Sequence, residues 1–438
     1  MKNKYALNFV ILALLSLLVS VTIGVLISIQ YLYPDFLKSS LHFAKLRPIH
    51  VVSSVSWIIL GAIGSVYYYV NNQESIPLYS KRLTRVHFFL FLLTGIAIYA
   101  SILIGKIGGR EFFVFAPALM IPVLIGWVLF AINYFKSIRH HISNWPVYYW
   151  MWGTGTVFMI FHLMEAHFWL IPAFRENYIR DLVVQWKSVG SFVGSWNQLV
   201  YGISIYLMTK IKADPSFAKG KLVFFFYFLG LANLMFGWAH HTYIIPSQPW
   251  VRILAYSISM TEWIIFIRII YNFLRSLSKE KRKENTMAYR FMVAADVWIF
   301  LNLLLALLLS IPAINYHTHG THITVMHTMG TMIGINTMIL MASVWYIISK
   351  LHPNCAPPRW GIYWYKTLQV SLLLFLISLA VAGIHRSKWM YDNQGISFSE
   401  MQQNLRGVYW AILIAGTGIF TALSGLIILA IKKIRQKI

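Results

Sequence analysis

Residues 238–250 read WAHHTYIIPSQPW, which places two adjacent histidines, His240 and His241, at the end of a long apolar run. Imidazole is the usual axial ligand of heme b and suits first-row metals generally. Among the other ionisable residues in apolar runs are His50, His327 and Glu262. An ionisable group at membrane depth is costly, and its default reading is a functional site. A single neutral histidine needs only hydrogen-bond partners, so it reads equally as a packed residue or a ligand. An adjacent pair sharing one depth with two others points to metal or heme. The mid-span carboxylate of Glu262 wants a metal, a cation or a shared proton; the bland reading is a protonated carboxyl bonded to a neighbouring helix.

Only a bilayer can position such groups in this chain. Of its 438 residues, 58% are hydrophobic, 16% aromatic and 11% charged. That is more apolar surface than a water-soluble fold of this size can bury. Stretches of roughly 20 apolar residues, each able to cross a hydrocarbon core, recur throughout. Helices satisfy their own backbone there, so the fold expected is an all-α integral membrane protein. About twelve spans are predicted, near 7–33, 47–71, 84–105, 115–135, 146–173, 186–210, 220–245, 251–275, 290–314, 321–349, 361–385 and 408–432. They form a single transmembrane domain, 1–438, without an inserted soluble module. The first run is read as a retained helix, since it lacks a small-residue cleavage site.

The net charge of +24 does not indicate nucleic acid, because Lys and Arg gather in alternate loops. Stretches such as SKRLTR, TKIKADPSFAKGK and RSLSKEKRKEN carry them, and the positive-inside rule then puts both termini in the cytoplasm. His50, His240, His241 and His327 consequently fall in one layer near the outer face. The lone cysteine, Cys355, allows no disulfide, zinc cluster or covalent heme attachment.

The stretch GWAHHTYIIPSQPW resembles the seventh-helix signature of the heme–copper oxidase superfamily, in which two adjacent histidines bind the non-heme metal. NYHTHGTHITVMH (315–327), GGREFF (108–113) and LRPIH (46–50) are similar to parts of the catalytic subunit of cytochrome c-dependent nitric oxide reductase. The resemblance covers nearly the whole chain and implies a heme–copper oxidase subunit I bundle. By position it makes His327 the proximal ligand of a high-spin heme b and His50 a ligand of a low-spin heme b. His240 and His241 would bind a non-heme iron or copper, with Glu262 beside it in a catalytic role. Glu111 and Arg110 match a loop whose glutamate helps to hold a calcium ion near the heme propionates. Arg47, Arg110 and Arg386 lie at outer span ends and suit propionate pairing, although snorkelling explains Arg386 equally well.

The departures from that pattern matter as much. Met329 stands where the family has the second low-spin heme ligand; a thioether is a competent ligand, and the other reading is that it packs. In the sixth span the positions of a metal-binding histidine and glutamate hold Val189 and Val193, and a further glutamate position holds Asn197. Glu262 and water complete the metal shell, another helix supplies replacements, or the metal is lost. The stretch FHLMEAHFW offers His162 and Glu165 on one helix face, with His167 roughly 140° away. That pair reads as a metal site or as a structural hydrogen bond. His317, His319 and His322 are read as a propionate-binding or structural loop.

The leading functional reading is a respiratory heme oxidoreductase resembling nitric oxide reductase. It takes a small diatomic gas as substrate and a membrane-anchored cytochrome c-type or other electron-donor subunit as partner. The implied location is a bacterial inner membrane, with the hemes toward the periplasm. The alternatives are an oxygen reductase subunit I, or a diverged heme-binding paralogue for electron transfer or gas sensing that has lost the non-heme metal. A transporter explains the spans but not the histidines.

Overall fold

The computed structural model describes residues 4–74, 76–139, 142–243, 245–246, 248–353, 358–392 and 395–437. Cys355 and the side chain of Glu262 lie outside the described residues. All elements are helical apart from one isolated β-bridge, Ile107 to Phe115, in the loop that carries Arg110 and Glu111.

Among the described residues twelve long helical runs overlap the predicted spans. They are α1 (Lys4–Leu32), α2 (Phe43–Tyr68), α3 (Lys81–Leu103), α4 (Met120–Ile138), α5 (Val147–Glu165) and α6 (Tyr178–Lys212). After them come α7 (Lys221–Phe236), α8 (Pro249–Ser276), α9 (Thr286–Leu309), α10 (His322–Leu351), α11 (Arg359–Tyr391) and α12 (Arg406–Arg435). Among the described residues nine are long and apolar enough to cross a membrane, against about twelve expected. The other three are α5, α6 and α8. Tyrosine, tryptophan and glycine dilute the apolar character of α5, and Ser, Gly, Asn and Gln dilute that of α6. The chain is an all-α membrane protein whose helices pair most extensively as α1 with α2, α11 with α12 and α5 with α6.

Two departures from α geometry bear on the site. The end of α7 tightens into a 3₁₀ segment, Gly237–Thr242, which carries His240 and His241. The middle of α10 widens into a π segment, Gly330–Thr337, immediately after Met329. Such interruptions recur at functional sites, because they re-aim side chains that a regular helix could not deliver.

Lipid is as apolar as leucine, so close packing rather than water exclusion holds such helices together. Gly190 and Gly194 of α6 show how. A Cβ on Gly190 would lie 2.7 Å from Trp238 Cβ, and one on Gly194 would lie 2.9 Å from Leu234 Cα. This small-residue seam brings α6 directly against the segment bearing the paired histidines. At the far end of the bundle, packed rings take over. Tyr69 stacks on Tyr206 at 4.2 Å, and Tyr148 and Trp152 complete the cluster. Tyr69 and Ser65 both hydrogen-bond Ser343, tying α2 and its extension to α10.

Candidate functional site

One cavity of about 700 Å³ opens between α1, α2, α6, α7, α9 and α10. That lies within the usual range for sites of small molecules and cofactors. His50, His240, His241 and His327 all line it, as do Met329, Arg47 and Glu111. The four histidines grouped from the sequence thus share a single cavity. Arg110 does not line it: its guanidinium bonds both carboxylate oxygens of Asp181, at 2.8 and 3.0 Å, and lies over Trp169.

His50 is held by a specific bond. Its Nδ1 lies 2.9 Å from the carbonyl of Ser20 on α1. A carbonyl only accepts, so Nδ1 carries the proton and Nε2 keeps a lone pair. That is the arrangement by which ligating histidines are oriented. Gly24 makes room for the ring, since a Cβ there would stand 3.2 Å from His50 Cε1.

The rings of His240 and His241 are 4.1 Å apart. Trp186 stacks on His241 at 5.8 Å with a 12° interplanar angle, and its other contact is His319 at 6.4 Å. His327 lies within electrostatic range of both paired histidines, and its Nδ1 is buried without a hydrogen-bond partner. A buried imidazole nitrogen left unpaired is costly, which is the mark of a group shaped to meet something else. The cavity volume, the lone pair on His50 and the unpaired His327 fit a porphyrin-sized ligand with imidazole ligation.

The fit to a third, non-heme metal is weaker. Among the described residues no three of His, Cys, Asp and Glu stand together as a metal site. Val189 and Val193 line the cavity beside the paired histidines, with Asn197 one turn further along the same face. Those are the positions where nitrogen and oxygen ligands were sought, and two of them are hydrocarbon. Asn197 Oδ1 is buried without a partner and offers the one oxygen on that row. Calcium at Glu111 also meets a competitor, because Arg47 pairs with that carboxylate at 2.5 Å.

The remaining candidates separate. His319 and His322 line the cavity, whereas His317 packs on Tyr391 at 4.6 Å. Burial lowers the pKa of His319 from its ordinary value, favouring a neutral ring. His162 and Glu165 are bonded to each other at 2.9 Å, and neither lines the cavity; His167 turns to its own backbone at Leu163. Arg386 lies 5.8 Å over Phe398. Trp186 and Gln198 line the site and were not anticipated. Trp186 sits four residues before Gly190 on the same helical row, a signal visible only once α6 is known to face the cavity.

A family profile described as Cytochrome C and Quinol oxidase polypeptide I matches residues 4–418. The chain belongs to this family, the subunit I proteins of the heme–copper oxidase superfamily. It is 24% identical over 445 residues to a nitric oxide reductase subunit of Stutzerimonas stutzeri, covering 93% of this chain and 90% of that protein. It is also 24% identical over 448 residues to cytochrome c oxidase subunit 1 of Rhodobacter capsulatus, covering 94% and 81%. These equal identities do not separate the two branches. Its backbone superposes on a heme–copper terminal oxidase solved as a dimer by cryo-electron microscopy, with a TM-score of 0.72 and 14% identity. That match covers 98% of this chain and 83% of the other.

Proposed function

We propose that this protein is a multi-pass respiratory oxidoreductase of nitric oxide reductase type, converting two NO to N2O with electrons from a membrane-anchored cytochrome c-type or other donor subunit. The observation that carries it is the convergence of His50, His240, His241 and His327 on one cavity. In this reading all twelve long helices span a bacterial inner membrane, both termini are cytoplasmic, and the cavity lies toward the periplasm.

His50 and Met329 would hold a low-spin heme b, and His327 a high-spin heme b. When bound, the hemes supply electron entry and an iron to which a diatomic gas can bind. The chain supplies the rest. Ser20 sets the tautomer of His50. Arg47, on the cavity rim, suits a propionate and shares its charge with Glu111. Val189 and Val193 make the α6 wall apolar, so a small neutral gas meets little water there. Glu262 remains the carboxylate proposed beside His240 and His241.

Purified protein should contain two hemes b and consume NO when given a reductant. Metal counts, a reduced-minus-oxidised spectrum and NO consumption test this directly. One non-heme iron or copper would place a metal on His240, His241 and Glu262. Two hemes without a third metal would favour the second reading, a heme-only electron-transfer or gas-sensing subunit, which Val189 and Val193 support. Oxygen consumption in place of NO would move the chain to the oxygen reductases. A Met329→His variant tests the axial ligand, because an unchanged low-spin band counts against methionine ligation.

A further inference from the structure

Helix α6 carries a second polar row, one the cavity does not use along most of its length. Lys187, Ser191, Ser195 and Gln198 follow at steps of four, four and three, and so share a face. That face packs on α5. Glu165 of α5 meets Lys187, and a Cβ on Gly155 would lie 2.9 Å from Ser195 O and 3.0 Å from Gln198 Cβ. The helices are therefore antiparallel in a register that sets His162 level with Ser191.

Three atoms along this seam are buried with no hydrogen-bond partner: His162 Nε2, Ser191 Oγ and Gln198 Oε1. Unpaired polar atoms are costly in protein at membrane depth, and ordered water is the ordinary remedy. The two ends of the seam differ. At one end the Lys187 side chain is 31% exposed and bonds Glu165, which in turn accepts from His162 Nδ1. At the other, Gln198 lines the cavity. The seam thus runs from a partly exposed charge pair to the candidate site, behind the apolar wall of Val189 and Val193.

We infer that the α5–α6 seam is hydrated and that His162, backed by Glu165 and Lys187, is a proton relay station serving the cavity. Loading forms an N–H bond at Nε2 as a protonated seam water loses its proton. Unloading reverses this and passes the proton along water at Ser191 toward Gln198. Glu165 stays ionised throughout, held by Lys187, and its carboxylate stabilises the imidazolium through Nδ1–H. This rests on the reading above, in which gas reduction at the cavity consumes protons.

The experiment uses full-length protein carrying Glu165→Gln or Gln198→Leu, with Lys187→Arg as the conservative variant. Turnover with NO should fall at least about tenfold in the first two, with a raised solvent deuterium isotope effect, while Lys187→Arg stays near wild type. Their reduced-minus-oxidised heme spectra should match wild type, which a merely structural role would not guarantee. Infrared spectra of ¹³C-histidine-labelled protein should also show the His162 ring exchanging in D2O, a readout independent of turnover. Wild-type turnover in both Glu165→Gln and Gln198→Leu overturns the relay, as does a His162 ring that does not exchange. Wild-type protein without heme or NO turnover overturns the functional reading instead, and ring exchange still decides whether the seam is hydrated.

Discussion

The two ends of the helical bundle are built from the same residue types and used in opposite ways. At the cavity end, imidazoles and amides face open volume, whereas buried atoms without partners (His327 and Asn197 here, Tyr206 and Trp152 at the far end) and non-α segments occur at both ends. At the far end, rings fill the space: Tyr69, Tyr148, Trp152 and Tyr206 contact one another, and Ser343 serves both Ser65 and Tyr69. The difference teaches where each kind of free energy resides. Packing at the aromatic end stabilises the bundle, and the cavity end spends part of that stability on groups aimed at a cofactor.

Substitutions can break this division. The largest effect is expected from His327→Ala, which should remove one heme from the purified protein while leaving its helical content intact; pyridine hemochrome counts and circular dichroism check both. Trp152→Ala should do the reverse. Trp152 is fully buried, so its truncation should cost about 3–5 kcal/mol and lower the Tm, with an unchanged heme spectrum below that temperature. If Trp152→Ala loses heme at temperatures where it stays folded, the division of roles is wrong.

Gly190→Val sharpens the comparison, because it lies where the two influences meet. The added side chain must push against Trp238 and the backbone beside the paired histidines, costing about 1–3 kcal/mol. A larger change in the spectrum of the gas-bound heme than in Tm is the expected pattern. The smallest effect should come from Ser343→Ala, which removes the shared partner of Ser65 and Tyr69, costs about 1 kcal/mol and leaves the heme bands untouched.

Much of the architecture was legible from residue pattern alone. Apolar run length located each long helix, with ends missed by up to about eight residues in α5 and α6, because the bilayer imposes one length scale on every span. His50, His240, His241 and His327 were grouped before any contact was known, and all four line one cavity. The count of spans departed from expectation: among the described residues nine helices are long and apolar enough to cross a membrane, because α5 is rich in Tyr, Trp and Gly and the middle of α6 in Ser, Gly, Asn and Gln. The loop reading of Arg110 missed its partner. Asp181 lies 71 residues away in sequence, and no local pattern links the two. Glu111 likewise pairs with Arg47 across 64 residues, a contact no local pattern shows.

His162 and Glu165 show both limits at once. Their i, i+3 spacing correctly implied a shared face and a mutual bond, since that follows from helix geometry. Whether the face looked into the cavity or away from it depended on how α5 rotates against α6. Close approach at Gly155, which meets Ser195 and Gln198, and at Gly202, which meets Trp152 and Met151, fixes that rotation.

By itself, the sequence determined that this chain lives in a bilayer as helices, and it grouped His50, His240, His241 and His327. Both follow from local chemistry, because a span must be apolar and of fixed length. Only the tertiary structure decided which side chains meet: that Ser20 sets the proton on His50, that valines wall the cavity where ligands were sought, and that Lys187 reaches Glu165. Those contacts depend on helix rotation and close approach, which arise from packing between distant segments and leave no periodic trace in either segment alone.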